Sequence, residues 1–138
     1  MTSADRLVIP AAIATDMLAH VAAEMPNEAC GLVAGDATQA RATRFHPARN
    51  AAESPYVYEV HPEDLVRLVH RIEADGLDLV AIFHSHPRTD AVPSPTDLRD
   101  AEYPVVYIVA GVAAGVRALR AWRIRDGLAR EVMLEISA

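Results

Sequence analysis

Apolar residues recur along this chain in two rhythms. Between residues 10 and 24, Ile13, Met17 and Val21, with Leu18 beside them, repeat at helical spacing. Pro10 opens that helix and Pro26 ends it. "CGLVAGD" (30–36) is short, apolar and carries two glycines, the pattern of a buried strand. "ARATRFHPA" (40–48) is half polar and reads as its partner. "RNAAESPYVYEV" is a loop that runs into a short strand near Tyr56–Val60. A second helix follows in "HPEDLVRLVHRIEADG". Leu65, Leu68, Val69 and Ile72 form its apolar stripe, Glu63 and Asp64 complement the positive end of its dipole, and Gly76 stops it.

"LDLVAIF" (77–83) is apolar but for Asp78, as expected of a strand buried on both faces, and it delivers the chain into His84. "SPTDLRDAEY" is a short third helix and "PVVYIVAG" (104–111) another buried strand. "GVRALRAWRIRDG" and "LAREVMLEIS" form a hairpin turning at Asp126–Gly127. This order predicts an α/β fold, a mixed sheet sandwiched by helices. No repeat or linker interrupts it, and one domain spanning residues 1–138 is expected.

Composition narrows the function. With 51% hydrophobic residues the chain is globular, and its net charge of −6 gives no general attraction to nucleic acid or anionic membrane. The single cysteine, Cys30, excludes an internal disulfide and a thiolate zinc cluster. "MTSADRLVIP" lacks the basic head and apolar stretch of a signal peptide, and no apolar run reaches a membrane span. A cytoplasmic protein with neither nucleic-acid nor membrane partner is expected.

Chemistry concentrates in "FHSHPRTDAVPSPTD". Residues i and i+2 of a strand share a side, so His84 and His86 project together and Ser85 faces away. Two parallel imidazoles and a carboxylate suit zinc, and Asp97 supplies the oxygen if the loop stiffened by Pro87 and Pro93 folds back. Such a site leaves a position for water, whose pKa zinc lowers to about 7. Ser94 is a candidate donor to a developing oxyanion. The plainer reading is that Ser94 and Asp97 form a helix capping box, and residue chemistry alone leaves both readings open.

His-x-His-x7-Ser-x-x-Asp, read from His84 to Asp97, resembles the signature of the JAMM (MPN+) metalloprotease family. "MPNEACGLVAG" resembles that family's upstream motif, "RNAAESPYVYEVHPEDL" its asparagine loop, and "YPVVYIV" the strand after the signature. The resemblance covers nearly the whole chain, departs at no functional position, and points to the stand-alone bacterial branch linked with sulfur-carrier proteins. It implies a deaminase-like α/β architecture and zinc bound by His84, His86 and Asp97. It further implies Glu28 as general base and proton donor, and Ser94 as oxyanion donor. Glu28 is singled out by the family pattern alone; without it, this residue reads as a solvated loop acid. The implied reaction is hydrolysis of an amide after the C-terminal Gly-Gly of a ubiquitin-like or sulfur-carrier protein, for example releasing cysteine from a carrier adduct. An extended tail is expected to add as a strand beside the sheet. JAMM domains often pair, which leaves a homodimer open.

Competing readings are a RadC-like DNA-repair-associated protein, which shares the histidine pattern, and a non-catalytic MPN scaffold. A zinc deaminase needs a Cys-x-x-Cys pair and is excluded by the single cysteine. Cys30 is read as a small buried hydrophobe. His20 is read as exposed or capping. Asn50, which matches the family's loop, either orders the site or touches substrate, or serves a turn. Arg117, Arg120, Arg123 and Arg125 around Trp122 are read as a solvated sheet face, with a partner surface as the alternative.

Overall fold

The computed structural model describes residues 6–138. The elements run β1 (Arg6–Pro10), α1 (Ala11–Glu24), β2 (Cys30–Asp36), β3 (Arg41–Ala48), α2 (Pro62–Ala74), β4 (Asp78–Ser85), α3 (Pro95–Asp100), β5 (Val106–Ala113), β6 (Val116–Arg125) and β7 (Leu128–Ser137). The mixed α/β architecture agrees with expectation. The strands are ordered β1-β3-β2-β4-β5-β6-β7, and β1 also pairs with β7, so the sheet closes on itself. β4 runs parallel to β5 and antiparallel to β2.

Helices cover two apolar clusters. α1 buries Ile13, Met17 and Val21 against Leu7, Ile9, Phe83 and Ile108. α2 buries Leu68 and Ile72 against Cys30, Leu32, Ile82 and Tyr107. β4 serves both, since Phe83 belongs to the first cluster and Ile82 to the second. Its alternation slips once. Val33 pairs with Ala81 but Ala34 with Leu79, so Val80 is bulged and joins Ala81 in the first cluster.

Three local expectations need correction. β1 was not anticipated, because "RLVIP" is brief and is ordered by pairing with β7, more than a hundred residues away. The expected strand near Tyr56–Val60 is reduced to a single bridge, Asn50 to Val60. The Asn50 side chain takes the backbone groups a ladder would use: Nδ2 donates to the Val57 carbonyl (3.1 Å), and Oδ1 accepts from Glu59 N (3.0 Å) and Ala52 N (2.9 Å). The third helix is only six residues long and ends before Tyr103. The Asp126–Gly127 turn holds as read, with φ of 53° and 74°, as a primed hairpin turn requires.

Candidate metal centre

β4 ends at the site. His84 is fully buried and His86, one residue beyond the strand, is nearly so. The His86 N–H donates to the Ala110 carbonyl (2.7 Å), which extends the β4–β5 pairing and keeps both imidazoles on one side. Their Nε2 atoms lie 3.3 Å apart, and Asp97 Oδ2 lies 3.0 Å from each. Tyr58 stacks on the His84 ring at 4.3 Å between centroids and 16° between planes. Ser85 faces away as expected, and there it acts as a clamp. Its Oγ accepts the Ala29 N–H (2.8 Å), and its own N–H donates to the Ala29 carbonyl (3.0 Å). That role was not read from the sequence, where nothing links Ser85 to position 29.

The capping box is also present. Ser94 Oγ accepts the Asp97 N–H (3.1 Å), and Asp97 Oδ2 accepts the Ser94 N–H (2.9 Å). The two readings therefore coincide, because the oxygen that caps α3 is the oxygen that meets both histidines. Ser94 Oγ accepts a hydrogen bond in this arrangement, which leaves its own proton free to donate.

Electrostatics follow from burial and contact. Burial alone would raise the Asp97 carboxyl, but hydrogen bonds from His84 and His86 hold it well below the usual carboxylate range. Burial lowers the His84 pKa, outweighing the Asp97 carboxylate. For His86 burial acts the same way, but Asp97 and the Asp90 carbonyl win and the pKa rises. The His86 Nδ1 to Asp90 carbonyl contact is 2.8 Å; a carbonyl only accepts, so Nδ1 carries a hydrogen and Nε2 is the atom that would give its lone pair to a bound cation.

His84, His86 and Asp97 each offer a ligand atom, all within 4.8 Å of one another. Ligand atoms around a tetrahedral ion at about 2.0–2.1 Å stand about 3.3 Å apart, close to the separations found here. Three electron-rich atoms converging in a buried place fit a cation.

Glu28 borders the same space. It is 3% exposed, and its Oε1 is buried without a hydrogen-bond partner. Burial pushes its carboxyl up to about 8, with the His86 charge opposing and the Asp97 charge adding. Asn50 Nδ2 donates to the Glu28 carbonyl (3.1 Å), so Asn50 orders both the 50–60 loop and the segment carrying Glu28. Glu28, His86 and Ser94 line one cavity of about 210 Å³.

The loop from His86 to Ser94 is pinned from β5 and β6. Arg117 donates to the His86 carbonyl (3.0 Å), Val112 N to the Thr89 carbonyl (2.7 Å), and Trp122 Nε1 to the Ala91 carbonyl (2.9 Å). A side chain at Gly111 would strike the backbone of Asp90 and Ala91. This corrects the solvated-face reading at two positions. Trp122 is buried and Arg117 holds the loop, while Arg120 spans Trp122 and Glu131. Sequence spacing carries no signal for these contacts. His20 is likewise neither free nor a cap, since its Nε2 bonds the Cys30 carbonyl at 3.0 Å. Cys30 is fully buried as expected, and burial pushes its thiol up to about 12.

Comparison with known proteins places this geometry. The family profile for prokaryotic homologues of the JAB domain matches residues 10–125. A protein of Haloferax volcanii named desampylase is 41% identical over 115 residues, covering 79% of this chain and 82% of that protein. A protein of Mycobacterium tuberculosis named CysO-cysteine peptidase is 35% identical over 127 residues, covering 91% and 87%. A solution structure from Desulfitobacterium hafniense superposes with a TM-score of 0.86 at 27% identity, covering 95% of this chain and 92% of that one. The chain belongs to the prokaryotic JAB-domain family.

Proposed function

We propose that this chain is a zinc-dependent peptidase that hydrolyses the amide after the C-terminal Gly-Gly of a ubiquitin-like or sulfur-carrier protein. The observation that carries this reading is the convergence of His84, His86 and Asp97 ligand atoms beside a buried carboxyl, Glu28, with an unpartnered oxygen. Relatives named desampylase and CysO-cysteine peptidase support the reaction class.

His84, His86 and Asp97 hold the metal in this reading. Zinc held there would supply Lewis acidity, polarising the amide carbonyl and acidifying the attacking water. Glu28 takes a proton from the attacking water and passes it to the leaving nitrogen as the C–N bond breaks. Burial raises the affinity of the Glu28 carboxylate for that proton, which suits it to hold the proton between its removal from water and its delivery to nitrogen. The Ser94 hydroxyl donates to the oxygen that gains charge at the acyl carbon. Its other contact, accepting the Asp97 N–H, fixes its direction.

The test is mass-spectrometric. A carrier bearing an amino acid on its Gly-Gly tail is incubated with zinc-loaded, chelator-stripped and reloaded protein. Loss of the added residue with loaded and reloaded protein, absent after stripping, is expected. No cleavage of any Gly-Gly-linked amide by zinc-loaded protein overturns the proposal.

A further inference from the structure

Two cavities border the site, and they are chemically unlike. The smaller, about 210 Å³, is lined by Glu28, His86 and Ser94 together with Pro26, Tyr56 and Arg88. The larger, about 530 Å³, reaches Asp97 and Tyr58 and is walled by Val60, Leu65 and Tyr103. Glu28 lines the smaller cavity and not the larger. A group that delivers a proton to the departing nitrogen must lie within hydrogen-bond reach of it. On the peptidase reading the leaving group therefore takes the smaller cavity.

Arg88 is the one arginine or lysine on the smaller cavity. Among the described residues its guanidinium has neither a hydrogen bond nor an ion pair. Its main chain is nonetheless fixed on both sides. Arg117 holds the His86 carbonyl and reaches the Pro87 carbonyl, and Val112 N holds the Thr89 carbonyl. A guanidinium without a partner, carried on anchored backbone beside the place where an amine departs, suits bidentate capture of a carboxylate.

We infer that Arg88 binds the α-carboxylate of the leaving group, so that the preferred product is a free amino acid rather than a lysine side chain within a protein. This inference rests on the peptidase reading above. Water gives its hydroxyl to the acyl carbon, the C–N bond breaks, and the proton travels through Glu28 to the nitrogen of an amino acid whose carboxylate pairs with Arg88. Arg88 contacts the product and sets specificity; it takes no part in the proton transfer.

The test compares two substrates that differ only at that carboxylate. One carrier tail ends in an amide-linked amino acid with a free carboxylate, the other in the same residue as its carboxamide. Zinc-loaded wild type should favour the acid in kcat/KM by about 10- to 100-fold, the range of a hydrogen bond to a charged group. Arg88→Gln should collapse that ratio towards one, chiefly by slowing the acid, and Arg88→Lys should keep part of it. A wild-type ratio near one, or a ratio unchanged in Arg88→Gln, overturns the assignment of Arg88 while leaving the peptidase reading standing. Failure of zinc-loaded wild type to cleave either substrate, or an isopeptide-linked control, overturns both.

Discussion

Ser85 and Ala29 exchange two hydrogen bonds, with the Ala29 N–H on Ser85 Oγ at 2.8 Å and the Ser85 N–H on the Ala29 carbonyl at 3.0 Å. The pair ties the segment carrying Glu28 to the strand carrying His84, between its two histidines. Ser85→Ala leaves the buried Ala29 N–H without its partner and is expected to cost about 1–3 kcal/mol of stability. It should also lower kcat by about 10- to 100-fold through misplacement of Glu28, with little change in zinc affinity. Denaturant melts and a zinc titration on the same protein check this; undiminished kcat would show that Glu28 is held by other contacts.

Ser94 and Asp97 cap one helix together, yet their substitutions should separate. Ser94→Ala loses about 1 kcal/mol of cap and about 100-fold in turnover while retaining zinc. Asp97→Asn loses zinc affinity, since a neutral amide is a poorer ligand than the carboxylate. Competition against a chromogenic chelator reads the difference. Unchanged affinity in Asp97→Asn would reduce Asp97 to a cap.

Gly111→Ala is expected to disturb the site from the far side of the loop. The added methyl would meet the backbone of Asp90 and Ala91, and the Asp90 carbonyl is the partner that fixes His86 Nδ1. Weakened zinc binding and a lowered Tm should appear together. Wild-type affinity in that variant would mean the 86–94 loop tolerates displacement.

Asp64 makes stability depend on acid. Its carboxylate is buried and accepts from Arg49 N (2.8 Å), Nε (3.1 Å) and Nη2 (3.0 Å), which hold it well below the usual carboxylate range. A depressed folded-state pKa stabilises the fold above the unfolded value near 4, and that contribution is lost as pH falls below it. Asp64→Asn should therefore be less stable than wild type at pH 7, by about 1–3 kcal/mol, with the gap narrowing below about pH 4. Urea melts across that range check the sign. A gap independent of pH would assign the loss to packing.

The sequence made the frame legible where periodicity is strong. The α1 and α2 stripes, the apolar 77–83 run and the Asp126–Gly127 turn each express a local rule. His84 and His86 could be paired because strand geometry alone relates positions i and i+2. What stayed hidden depends on distant chain. β1 is ordered by β7, the 56–60 segment is diverted by one asparagine side chain, and Trp122 is buried by a loop some thirty residues earlier. Glu28 illustrates the limit best. Only the family pattern around it marks it, and its buried, unpartnered oxygen exists only once the β2 and β4 ends are brought together.

The most direct test measures metal content and cleavage on the same preparations of wild type and Glu28→Gln. One zinc per chain in both, with cleavage of a Gly-Gly-linked amide by wild type and a loss of at least about 100-fold in the variant, is the predicted result. Cleavage by Glu28→Gln at the wild-type rate would remove Glu28 from the chemistry, and a fully loaded wild type that cleaves nothing would contradict the account at its centre.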